Sequence, residues 1–211
     1  MIEAFVLTWL GVLAAQASPG PNLVAVASVA LAEGRRPATM VVAGIAAGML
    51  VWSLGTTFGL GALVAAFPLS LLAMKLVGGG YLLFLGLRAA RATWRGRSAA
   101  IRPDHGALTD GAAFRRGLLV VLTNPKAVLM WAAVATFLFG QGLGSVQVLA
   151  FGPVGALSGF AVYGTYAWLF STGLAGRTYV RFARWVEGAF AAAFGVMGGS
   201  LILSGLREAR Q

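Results

Sequence analysis

No cysteine occurs anywhere in the chain, which excludes disulfides, thiolate metal sites and thiol redox chemistry. Histidine occurs once, as His105 in a polar stretch, where a solvated side chain is the ordinary reading and a proton relay the rarer one. Only six residues are acidic, and Glu3, Glu33, Asp110 and Glu187 all fall near the ends of apolar runs. Hydrolysis therefore has no His/Asp/Glu cluster to work with, metal ions have no carboxylate cage, and no cofactor is implied. Charged residues make up 10% of the chain, against about 25% in ordinary soluble domains, which rules out a soluble enzyme, a disordered tail or a nucleic-acid binder.

What is present is apolar, at 59% of residues, and it comes in charge-free runs over 4–32, 37–74, 127–176 and 188–206. One helical passage needs only ~20 apolar residues, so the composition is that of a chain embedded in a membrane. Six spans fit, at 4–30, 38–65, 68–88, 114–139, 146–172 and 185–206. The runs 37–74 and 127–176 are each too long for a single helix and divide at Ala65-Ala66-Phe67-Pro68 and at 140–145.

The net charge of +10 comes from arginines in short blocks between these runs, a membrane-topology signal. Arg35, Arg36, Arg88, Arg91, Arg95, Arg97, Arg102, Arg115, Arg116, Arg177, Arg181 and Arg184 fall on one face, and Arg207 and Arg210 on the other. That bias places the loops after spans one, three and five in the cytoplasm and both termini outside. A five-span arrangement with one re-entrant run remains open. Ala15-Gln16-Ala17 resembles a signal-peptide cleavage site, but no Lys or Arg precedes it and the apolar run continues to Ala32, so an uncleaved first span is expected.

The two halves of the chain correspond. Gly11 precedes Pro19 by the same interval as Gly117 precedes Pro125; Gly44-Ile45-Ala46-Ala47-Gly48 matches Gly155-Ala156-Leu157-Ser158-Gly159; and Gly79-Gly80 through Arg91 matches Gly198-Gly199 through Arg210. Three spans per half is an odd number, so the copies would lie in opposite orientations, an arrangement common in transporters and also found in channels and membrane enzymes. The expected fold is all-α: six transmembrane helices in two inverted three-helix repeats with broken first helices. Residues 1–90 and 114–211 form the repeats and 91–113 a cytoplasmic arginine-rich linker. The small-residue steps permit close helix packing within the chain or in a homodimer. The linker arginines orient the chain and are placed to meet anionic lipid heads.

Chemistry concentrates at two matching breaks. Ser18-Pro19-Gly20-Pro21-Asn22 interrupts span one, and Asn124-Pro125-Lys126 interrupts span four. Each proline removes a backbone donor and clashes with the carbonyl four residues earlier, so the helix kinks or unwinds. At that depth the freed backbone groups must be buried in protein or line a wet cavity. Half-helix ends meeting near the midplane offer N–H groups to an anion and carbonyls to a cation, and a zwitterion presents both. Lys126 stands near mid-membrane, where a charge costs at least ~2.5–3.5 kcal/mol and marks a functional site by default. Lys75 lies nearer the outer interface and either snorkels to it or joins the site.

The Ser18-Pro19-Gly20-Pro21-Asn22 break, Gly34, Gly59-Leu60, Lys75 with Gly78, Gly80-Tyr81-Leu82 and Gly86, then Phe114, Gly117 and Asn124-Pro125-Lys126, resemble the LysE/RhtB amino-acid exporters over about two-thirds of the chain. The resemblance implies a small multi-pass carrier of the bacterial inner membrane that exports amino acids or derivatives, driven by the proton gradient. The broken helices and the two intramembrane lysines give the expected substrate site, Ser18, Pro19, Gly20, Pro21, Asn22, Lys75, Asn124, Pro125 and Lys126, with Asn22 and Asn124 for the substrate's polar groups and Lys126 for its carboxylate. Members often carry an aromatic pair and a Pro-x-Phe segment after Asn-Pro-Lys, where this chain has Met130-Trp131 and Thr136-Phe137-Leu138-Phe139. The branch exporting lysine and arginine tends to carry an acid in span two, which is absent here, so the likeness points to neutral amino acids and the RhtB-like branch. A membrane-embedded enzyme or an ion or lipid translocator is the alternative class.

Overall fold

The computed structural model describes residues 2–67, 69–95, 107–172 and 198–207, with single positions between 185 and 196. All of its elements are helices: α1 (Ile2–Ala17), α2 (Pro21–Glu33), α3 (Arg35–Ala66), α4 (Leu69–Arg95), α5 (Asp110–Thr123), α6 (Pro125–Gly140) and α7 (Ser145–Ser171). Residues 198–207 are helical as well. Among the described residues, α3 and α7 are long and apolar enough to cross a membrane. The bent pairs α1–α2 and α5–α6 raise the number to four if each pair is one span, with bends of 47° and 60° at the two proline-containing breaks. Arg97, Arg102, His105, Arg177, Arg181, Arg184, Arg210 and Pro68 lie outside the described residues. Helix α4 runs on to Arg95 and α5 begins at Asp110, so both helices extend into the segment expected to be linker.

The 32 residues of α3 span about 48 Å at 1.5 Å per residue, and α5, α7, α2 and α6 pack against them, while α1 lies on α7 and α4 on α6. Helix α5 crosses α3 where Gly44 faces Phe114 and Gly117 faces Val41; a Cβ on either glycine would overlap the partner's carbonyl oxygen. Backbone-to-backbone approach of this kind needs glycine at the contact. Outward, Leu50, Leu54 and Phe58 repeat every four residues along α3 and are exposed, an apolar stripe suited to lipid. Inward, Leu23, Ile45, Met49, Trp131, Leu138 and Phe151 are fully buried.

The two ends of the bundle differ in chemistry. At one end Arg36 pairs with Asp110 at 2.7 Å, Arg35 stacks over Trp168, and Glu33 Oε2 accepts the Leu108 N–H at 2.8 Å. Gly34 makes the elbow between α2 and α3 there at φ 86°, a left-handed conformation that glycine adopts without strain. At the other end Gly61 of α3 lies against Ser145 and Phe139, beside the turn from α6 to α7. The described arginines at the starts of α3 and α5 thus share an end.

Candidate functional site

Every proline at the breaks removes the N–H that would have bonded the carbonyl four residues before it. For Pro19, Pro21 and Pro125 those carbonyls belong to Ala15, Ala17 and Val121. Each one accepts instead from a side chain of another helix. Lys126 Nζ donates to Ala15 O at 2.9 Å, Tyr166 OH to Ala17 O at 2.7 Å, and Trp52 Nε1 to Val121 O at 3.1 Å. A buried acceptor left unpaired would cost ~1–3 kcal/mol, so these bonds help the breaks persist inside the bundle, together with local donors to two of the carbonyls, Ser18 Oγ to Ala15 O at 2.9 Å and Asn124 N–H to Val121 O at 3.4 Å.

The breaks also bond to each other. Asn124 Nδ2 donates to Asn22 Oδ1 at 3.1 Å, while Asn22 Nδ2 donates to the Tyr163 hydroxyl at 3.4 Å. Asn124 is the N-cap of α6, its Oδ1 accepting the Lys126 N–H at 3.0 Å. At the start of α2 the N-cap is Gly20, and no side chain caps that first turn. Lys126 lies beside that uncapped turn without capping it, its ammonium also donating to Ser18 Oγ and lying 3.6 Å from where a Cβ on Gly20 would sit. Ser18, Asn22 and Asn124 are all buried.

A cavity opens beside this junction, bordered by Asn22, Asn124 and Lys126, by Gln16 and Tyr163, and by an apolar wall of Ala15, Met49, Ala127 and Met130. The space open to the centre of a water molecule is about 20 Å³, room for about one water. Gln16 is held by Gly155 O, to which its amide donates at 2.8 Å, and by Ser158, whose hydroxyl donates back at 3.0 Å. Among the described residues no three His, Cys, Asp or Glu side chains come together, and no acidic group borders the cavity.

The segments Ser18-Pro19-Gly20-Pro21-Asn22 and Asn124-Pro125-Lys126, expected from the sequence to share a site, meet at one junction. Lys75 is set apart. It is buried on α4 against Gly140 at the end of α6 and against Gly205, toward the α6–α7 turn, and does not border the cavity. Sequence reasoning missed Gln16, Trp52, Tyr163 and Tyr166. Gln16 carried a signal as a lone amide within an apolar run, and Tyr163 and Tyr166 share a helix face by their three-residue spacing. Nothing local marked Trp52.

Comparison with known proteins bears on this arrangement. The LysE type translocator family matches residues 13–205. The threonine efflux protein of Salmonella typhi is 32% identical over 189 residues, covering 89% of this chain and 91% of the relative. That of Escherichia coli K12 is 30% identical over 209 residues, covering 97% and 100%. An uncharacterized membrane protein of Haemophilus influenzae is 25% identical over 193 residues. No solved structure matches the chain.

Proposed function

The chain belongs to the LysE translocator family, a transporter rather than an enzyme, and from that premise we propose that it exports neutral amino acids across the bacterial inner membrane by alternating access, coupled to the proton gradient. The observation that carries the reading is the convergence of the Lys126 ammonium and the uncapped start of α2 on Gly20. Both are positive, and together they suit a substrate carboxylate. Asn22, Asn124 and Tyr163 supply neutral donors and acceptors for the amino group, and Met49 and Met130 supply an apolar wall for a small side chain. A second cationic group would meet Lys126 with no acid to offset it, which favours neutral substrates. Threonine is the first to try, since the relatives named above are threonine efflux proteins.

Space for one water cannot hold an amino acid, so in this reading the bundle is closed and must open to load. An inverted repeat would provide the motion. It is supported by contact between residues that the repeat makes equivalent: Gly79 packs against Gly198, as residues near a pseudo-twofold axis must. Six spans, termini outside and the arginine-bearing end in the cytoplasm complete the proposal, with the arginine-rich segment against anionic lipid and small-residue faces available to a homodimer.

Uptake of labelled amino acids into inverted vesicles tests the function. Threonine uptake dissipated by a protonophore is expected, and its amide, lacking the carboxylate, should compete at least ~10-fold less well, equivalent to ~1.4 kcal/mol. Absence of uptake across the standard amino acids, with the protein present in the membrane, would overturn it. Topology has its own test in this cysteine-free chain. With Ile2→Cys, Arg102→Cys and Gln211→Cys, an impermeant thiol reagent applied to intact cells should label both termini and spare position 102. The opposite pattern would reverse the orientation, and a split between the termini would mean an odd number of spans.

A further inference from the structure

Four buried side-chain polar atoms have no hydrogen-bond partner among the described residues: Glu33 Oε1 at the arginine-bearing end, and Ser53 Oγ, Thr57 Oγ1 and Trp131 Nε1 between the cavity and the opposite end. Ser53, Thr57 and Trp131 are each 2% exposed or less. Buried hydroxyls and indole N–H groups are ordinarily paired, so three orphans in one region call for an explanation. Their positions form a line. Met49 borders the cavity, and Ser53 and Thr57 follow it on the same face of α3, each about 6 Å further toward the α6–α7 turn. The facing surface of α7 keeps step. Gly159 meets Met49 and Gln16, Gly155 meets Trp131, and Gly152 meets Ser53.

Between the cavity and that end stands an aromatic stack. Trp131 and Phe151 meet edge to face with ring centroids 6.2 Å apart, and Phe151 and Phe5 do so at 5.8 Å. The stack joins α6, α7 and α1, so it spans elements that carry the two breaks and the helix packed beside them. We propose that the seam between α3, α6 and α7 is the exit path for the substrate, closed here by the Phe5–Phe151–Trp131 stack, and that Ser53, Thr57 and the Trp131 N–H line it when the stack parts. Polar groups orphaned in the closed state are then paired by water and by the substrate's ammonium and carboxylate in the open one. The glycines of α7 leave the passage its width. This inference rests on the central-site reading, because a path from the cavity matters only if the cavity is loaded.

Thiol chemistry tests it independently of transport. Ser53→Cys and Thr57→Cys are compared with Leu54→Cys, whose position is exposed on the lipid side of the same helix. The probe is the impermeant 2-(trimethylammonium)ethyl methanethiosulfonate, added to intact cells and, separately, to inverted vesicles, in the presence of threonine. Modification from the outside at least 10-fold faster at positions 53 and 57 than at 54 is expected, rising further in a Trp131→Ala background. Rates equal to the control, modification only in inverted vesicles, or rates unmoved by Trp131→Ala would each overturn the proposal. Should the Ser53→Cys chain be lost from the membrane, Thr57→Cys decides. Failure here with amide discrimination and vesicle uptake intact would overturn the path alone. Loss of uptake with fast labelling would instead fall on the central site.

Discussion

A Lys126→Met chain is expected to accumulate in the membrane at the normal level and to export threonine about 100-fold more slowly at subsaturating substrate, the equivalent of ~2.7 kcal/mol. Accumulation should survive because the methionine keeps an unbranched stem and removes a charge whose burial was itself a cost. The Ala15 carbonyl also keeps a partner, since Ser18 Oγ donates to it at 2.9 Å independently of the lysine. Export should fall because the remaining positive feature at Gly20, the start of α2, is equivalent to only about half a charge. Lys75→Met makes the informative comparison. Lys75 packs against Gly140 and Gly205 rather than at the cavity, so its loss should leave the ratio of threonine to threonine-amide affinity unchanged. Full export by Lys126→Met, with the amide competing equally, would show that the lysine only seals the α1 break and that the carboxylate binds elsewhere.

The second large effect is on the bundle itself. Gly44→Ala and Gly117→Ala should each sharply lower the amount of protein in the membrane and lower the melting temperature of what is recovered by more than about 6 °C. At both positions the added methyl would meet the carbonyl of a neighbouring helix, at Phe114 and Val41 respectively. A backbone cannot rotate aside as a side chain can, so the cost belongs at or above the top of the ~1–3 kcal/mol range for overpacking. Gly55→Ala and Gly59→Ala, on the same helix as Gly44 with open space where a Cβ would be, should be neutral or slightly stabilising. Equal behaviour of Gly44→Ala and Gly55→Ala in a thermal aggregation assay would mean that α3 and α5 cross less closely than the structure has them.

The helices and their breaks were legible because their causes are local. Apolar runs without charge demand helix in lipid, and proline interrupts a helix wherever it stands, so α3, α7 and the bends after Ala17 and Thr123 could be placed from residue types alone. The same reasoning paired the two breaks and singled out Asn22, Asn124 and Lys126, since polar side chains beside broken backbone at mid-depth have few other uses. It left open whether Lys75 joins them or snorkels to the nearer interface, because residue type and depth do not say which way a helix turns its side chain.

Only the tertiary structure decided which groups answer the broken backbone. That Pro19, Pro21 and Pro125 orphan the carbonyls of Ala15, Ala17 and Val121 follows from covalent geometry within a single turn of helix. That Lys126, Tyr166 and Trp52 supply the missing hydrogens depends on how α6, α7 and α3 lie against the breaks, and their side chains come from far along the chain. Gln16 makes the same point: in the sequence it was part of a cleavage-like triplet, and in the bundle it ties α1 to α7 through Gly155 and Ser158. A carbonyl's loss of its donor is settled by its own neighbours in sequence, whereas its new donor is chosen by packing between helices, which no local pattern of residues encodes.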